Sequence, residues 1–201
     1  MTTDTGSVLD DPRWRKFNEQ GFACSCGETH VGLFPIHMHY PLGWPGPKEY
    51  EPDEALRMDG DFLSGSYNVR DGQYFSLRMR LPFQMRGAAP AAFMYTVWAS
   101  VSRPHFEGYV EARKNNQLNN SARVPAMLVN RISGFPDTFK LMGTAFQQED
   151  GGSPLLLIHG IQDEAFGDHP LLHEQRNGIS LDRALQLFAE YGHDMRTGAG
   201  A

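Results

Sequence analysis

The residues of this sequence best suited to chemistry lie together in Cys24-Ser25-Cys26-Gly27-Glu28-Thr29-His30. Two thiolates and an imidazole are ligands that zinc prefers, and Gly27 lets the backbone turn beneath an ion. In an extended segment Cys24 and Cys26 project to the same side and reach a common point. A single residue separates them, where the usual zinc knuckle has two or more, and there is no second cysteine pair, which excludes the ordinary ribbon or finger. A fourth ligand must come from His37, His39, His169, His173 or a water. The expected metal set is Cys24, Cys26, His30 and His169, with zinc as the cofactor. The competing reading is a pair of small buried thiols beside a turn. A redox pair is disfavoured, because one-residue spacing strains a disulfide.

The remaining chemistry is sparse. His37 and His39 share a face if extended, and His169 and His173 share a helix face, but neither pair has the flanking glutamate of a zinc-protease helix. There is no Gly-x-Ser-x-Gly elbow, phosphate loop or dinucleotide fingerprint, so no catalytic residue is assigned. Ser64-Gly65-Ser66 reads as packing within a strand. Two functional readings follow. The first is a non-enzymatic binding or interaction module with a structural zinc at the Cys-x-Cys-Gly-x-x-His motif and a protein or small-molecule partner. The alternative is a metal-dependent hydrolase with Glu28 or His169 as its base.

Composition narrows the class. The 201 residues fit one domain, and 40% apolar with 21% charged residues is ordinary for a folded chain. A net charge of −6, with scattered basic residues, argues against nucleic acid as a partner. No apolar run approaches the roughly 18 residues of a membrane span. Met1 to Ser7 is polar and lacks the basic-then-apolar pattern of a signal peptide, so the cytoplasm is expected, where both cysteines are thiols or metal ligands.

The elements that must position these groups read as α+β. The expectation is a single domain with a mainly antiparallel sheet, flanking helices and a long Pro-rich loop. Residues 1–21 form an extension with a short helix, 22–192 the domain and 193–201 a flexible tail. Asp10-Asp11-Pro12 starts the first helix and Gly21 stops it. Five prolines between Phe34 and Pro52 forbid regular structure there; Trp44 in that loop pins it or marks a contact surface. Phe62–Val69 and Gln73–Leu81 form a hairpin about Asp71-Gly72, and Phe93–Val101 a central strand. Ser102 caps a helix; Pro125–Ile132 is expected as another. Thr138–Phe146 and Leu155–Ile161 read as strands. Asp168 caps a helix to about Arg176, and Ser180 caps the last, closed by Gly192.

Several short strings then occur in a fixed order: Phe22-x-Cys24-x-Cys26-Gly27-Glu28-x-His30, Val97-Trp98-Ala99-Ser100-Val101-Ser102 with Phe106, and Gly134-Phe135-Pro136-Asp137-Thr138. They are followed by Asp168-His169-Pro170-Leu171, Glu174-Gln175 and Gly178-Ile179-Ser180. The ordered set resembles the bacterial domain-of-unknown-function family 2199, from about Phe22 to Tyr191. The resemblance implies a bacterial, cytosolic, single-domain protein without an established activity. It marks Cys24, Cys26, Gly27, His30 and the segment from Asp168 to Leu171. The family pattern opens Cys-x-x-Cys-Gly, one residue longer than the spacing here.

Overall fold

The computed structural model describes residues 8–46, 48–119, 121–148, 150–160 and 168–194. The expected α+β architecture is present. Two strands dominate it, β6 (Tyr74–Gln84) and β7 (Ala92–Val101), paired antiparallel from Phe75↔Val101 to Gln84↔Ala92. Strands β8 (Arg123–Leu128), β9 (Met142–Phe146) and β10 (Leu155–Ile158) continue antiparallel from β7, and β10 returns to β6 in parallel at Leu155↔Arg80. Five strands thus close into a barrel-like ring. The ring is extended by β5 (Tyr67–Arg70) and β4 (Phe62–Leu63) beyond β6, and by the two-residue β3 (Ile36–His37), parallel to β7.

Alternation explains the long pair. Phe75, Leu77, Met79, Leu81 and Phe83 face the core opposite Val101, Ala99, Val97, Tyr95 and Phe93, and all ten are buried. Burying each large side chain contributes about 1.5–3 kcal/mol. Helices α2 (Arg103–Lys114), α3 (Pro170–Asn177) and α4 (Leu181–Ala189) supply the rest, through Phe106, Leu171, Leu187 and Phe188 among others. The short N-terminal helix α1 (Pro12–Arg15) is capped by Asp11, whose carboxylate accepts from the Arg13 amide at 2.8 Å. A wider turn, Lys16–Gln20, prolongs it and buries Phe17 completely.

Several elements differ from expectation. Of the segment expected as a helix at Pro125–Ile132, the first half, to Leu128, belongs to strand β8 and the rest is irregular. Val124, Ala126 and Leu128 alternate inward, and β7 and β9 take up its two edges, a tertiary pairing that local propensity does not register. The first arm of the expected hairpin is itself folded: the Ser64 hydroxyl accepts from the amides of Ser66 and Tyr67, and β4 turns back onto β5. Regular structure does occur in the Pro-rich stretch, as β3. The cap of α3 is His169, one residue after Asp168, with its Nδ1 accepting from the Leu171 amide at 3.1 Å.

The Pro-rich loop lies on the face of the long pair opposite the core. Trp98 Nε1 donates to the carbonyls of Met38 and His39, and the Leu42 amide to Val129 O at 2.8 Å. Asn130 joins the two layers: its Oδ1 accepts from Trp98 N at 2.6 Å and its Nδ2 donates to Tyr40 O at 2.8 Å.

Candidate metal centre

Strands β1 (Phe22–Ala23) and β2 (Thr29–His30) pair antiparallel, so residues 24–28 form the loop of a small hairpin. Its backbone is closed by Cys24 N to Glu28 O at 2.8 Å and Gly27 N to Cys24 O at 3.0 Å. Gly27 sits at φ +91°, a conformation that side chains disfavour, and the Cys26 amide is directed at Cys24 Sγ at 3.4 Å. The tight loop compensates for the short spacing: both thiols and the β2 imidazole are presented from one hairpin.

The fourth group arrives from the other end of the chain. Ser180 caps α4 by accepting from the Arg183 amide, and Leu181, Ala184, Leu187 and Phe188 bury its inner face. The helix ends as Gly192 turns to φ +77°, with Gly192 N donating to Ala189 O and His193 N to Phe188 O, both at 3.0 Å. That is a Schellman ending, which directs the residue after the glycine back over the helix. His193 occupies that position and lies edge-on to Phe188 at 6.4 Å. Ser25, between the two cysteines, fixes the approach. Its hydroxyl donates to Gly192 O at 2.7 Å and accepts from Asp194 N at 2.9 Å, bracketing His193.

Cys24, Cys26, His30 and His193 therefore converge, with all four ligand atoms within 4.8 Å of one another. Cys24 Sγ lies 3.4 Å from His193 Nδ1, and Cys26 Sγ lies 3.2 Å from His30 Nε2. Tetrahedral zinc with ordinary bond lengths sets sulfur and nitrogen about 3.6 Å apart, so the group can hold such an ion with small adjustments. Phe34 supports the imidazoles, stacked on His30 at 4.2 Å and edge-on to His193 at 5.0 Å. Burial, then the neighbouring His30, pushes the His193 pKa below its ordinary value, favouring the neutral form that ligates.

Three of the four expected ligands are brought together and His169 is not. His169 is buried at the start of α3, where its Nδ1 is used as a cap and its Nε2 has no well-formed hydrogen bond among the described residues. His37 lies 3.5 Å from Arg78 Nη2, across the sheet, and neither it nor His39 or His173 belongs to the group. Glu28 is exposed and contributes its backbone carbonyl to the loop. His193 was missed because its partners are distant in sequence; a histidine directly after a helix-stopping glycine was the available signal.

A family model described as "Uncharacterized protein conserved in bacteria (DUF2199)" matches residues 23–179. The chain belongs to the DUF2199 family. Cys24, Cys26 and His30 lie inside the DUF2199 match, and His193 lies beyond its end. No curated protein and no solved structure matches the chain. Among the described residues no helix is long and apolar enough to cross a membrane.

Proposed function

We propose that this DUF2199 protein is a non-enzymatic, cytoplasmic binding module in which Cys24, Cys26, His30 and His193 hold one structural zinc ion. The observation that carries the reading is the convergence of two sulfurs and two imidazole nitrogens from opposite ends of the chain. Four protein ligands complete a tetrahedral shell and leave no position for a substrate or an activated water, the arrangement of structural rather than catalytic zinc. The ion would fasten the end of α4 to the N-terminal hairpin. A reducing compartment keeps both sulfurs available as ligands.

Elemental analysis of the purified, untagged protein tests this. About one zinc per chain is expected, lost in Cys24→Ser and Cys26→Ser, strongly reduced in His193→Ala and retained in His169→Asn. A wild-type protein that takes up no metal when supplied with zinc, or a His193→Ala variant that binds as well as wild type, would overturn it.

A further inference from the structure

A cleft of about 300 Å³ opens on the outer face of the sheet, between the Pro-rich loop and the turn at Phe139-Lys140. Its floor is one row of side chains across four strands: Asn68 on β5 is opposite Ser76 on β6, Ser76 opposite Ser100 on β7, and Ser100 opposite Met127 on β8. Three neighbouring polar residues in mid-sheet, Asn68, Ser76 and Ser100, are not needed for core packing, which the alternate residues provide.

The floor retains hydrogen-bonding capacity. Ser76 is only 4% exposed, and among the described residues its hydroxyl has no hydrogen-bond partner. Asn68, 2% exposed, uses one amide hydrogen on Phe62 O at 3.2 Å; its carbonyl oxygen is unpartnered among the described residues. Neither oxygen is among the fully buried unpaired polar atoms, so both are reachable from the cleft, where a ligand would take up their hydrogen bonds. Ser100 already donates to Phe75 O.

The rim is cationic. Arg70 and Lys140 line it, and no described carboxylate does. Arg70 stacks over the Tyr74 ring at 4.5 Å, and its one ion pair among the described residues, to the largely exposed Asp71, is long at 3.8 Å; such a surface pair offsets little of its charge. Lys140 is held at the mouth by a backbone at φ +68°, unusual for a side-chain-bearing residue, with its amide bonded to Leu128 O. Leu42, Tyr74 and Phe139 add apolar walls, and Leu42 and Tyr74 are among the few large apolar side chains left exposed.

We propose that the cleft binds a small organic carboxylate with a compact apolar body, its anion at Arg70 and Lys140 and its body against Leu42, Tyr74 and Phe139. Polar groups converging in an apolar-walled cleft are the usual makeup of small-molecule sites. The proposal rests on the reading of the chain as a binding module, but not on the zinc. Metal content is measured on the same sample, so failure of the metal centre and failure of the cleft are separately visible.

The test is titration of the isotope-labelled full chain, followed by amide NMR, with benzoate, benzyl alcohol, benzylamine and inorganic phosphate. Benzoate is expected to shift the amides of Asn68, Ser76 and Ser100 saturably. Arg70→Gln and Lys140→Gln are each expected to weaken it about tenfold, with otherwise unchanged spectra. The proposal is overturned by absence of those benzoate shifts, by benzyl alcohol or benzylamine binding as well as benzoate, by phosphate binding in its place, or by undiminished affinity in both variants.

Discussion

Ser25 is the residue on which the geometry of the candidate metal centre turns. It carries no ligand atom, yet its hydroxyl holds the carbonyl before His193 and the amide after it. Partners of this kind orient ligands rather than bind metal. Ser25→Ala should therefore weaken zinc about 10–100-fold in competition with a chelator, without changing the stoichiometry at saturation. His169 makes the opposite prediction. Burial lowers its pKa below the ordinary value, outweighing the nearby backbone of Asp137 and Pro136, so the folded protein keeps it neutral where the unfolded chain would protonate it. The unfolded state then binds more protons. The contribution of His169 to stability is present above the unfolded pKa of about 6.5 and is lost as pH falls through that value towards the lower folded pKa. His169→Asn retains a capping acceptor without titrating, and should flatten the part of the acid limb below about pH 6.5 in denaturation curves, leaving zinc content unchanged. At this scale three of the four candidate ligands were legible from residue type and spacing. The fourth was not, because His193 reaches the cysteines only through the fold.

Among the elements, the short parallel contact of β10 with β6 is the weak seam of the ring. Among the described residues only Leu155↔Arg80 is paired there, and the Arg80 amide bonds Pro154 O at 2.8 Å. Gln175 of α3 bridges the gap: its Oε1 accepts from Ile158 N at 2.8 Å, and its Nε2 donates to Leu156 O at 2.9 Å and Pro82 O at 3.3 Å. Gln175→Met keeps the length but strands the amide of buried Ile158. It should cost about 1–3 kcal/mol in denaturant unfolding and speed hydrogen exchange along β10. Helices with polar caps and strands with strict alternation were readable in the sequence; α4, β6 and β7 are examples. Strand β8 was not, since Val124, Ala126 and Leu128 alternate too briefly, around Pro125, to outweigh a helical reading without the neighbouring strands in view. Nothing local announces that Gln175 serves two strands.

For the whole molecule, the metal would act as a cross-link between the first hairpin and the last helix. Aromatic contacts already tie α4 to the residues flanking the hairpin and to the sheet: Phe188 packs against Phe17 at 6.1 Å, Phe34 at 4.4 Å and Phe93 of β7 at 4.9 Å. Removing zinc should therefore loosen the two ends while the ring persists. A chelator is expected to lower the melting temperature, added zinc to raise it with concentration, and Cys24→Ser to abolish that dependence. Scanning calorimetry across a zinc series checks this. The α+β class was legible from the order of hairpins and capped helices, whereas ring closure was not, because the β10–β6 contact joins strands distant in sequence.

In the proposed zinc form, the position of His193 also governs when the centre can be completed in the cell. A ribosome makes Cys24, Cys26 and His30 first, and at roughly 5–20 residues per second the chain carrying the last ligand follows about 10–30 s later. During that interval the nascent hairpin offers two sulfurs and one imidazole, with the remaining coordination position open to water or to another thiol. Closure of the proposed centre thus waits for the translation of His193, and a chain that stops before Gly192 keeps the cysteines but lacks the fourth candidate ligand.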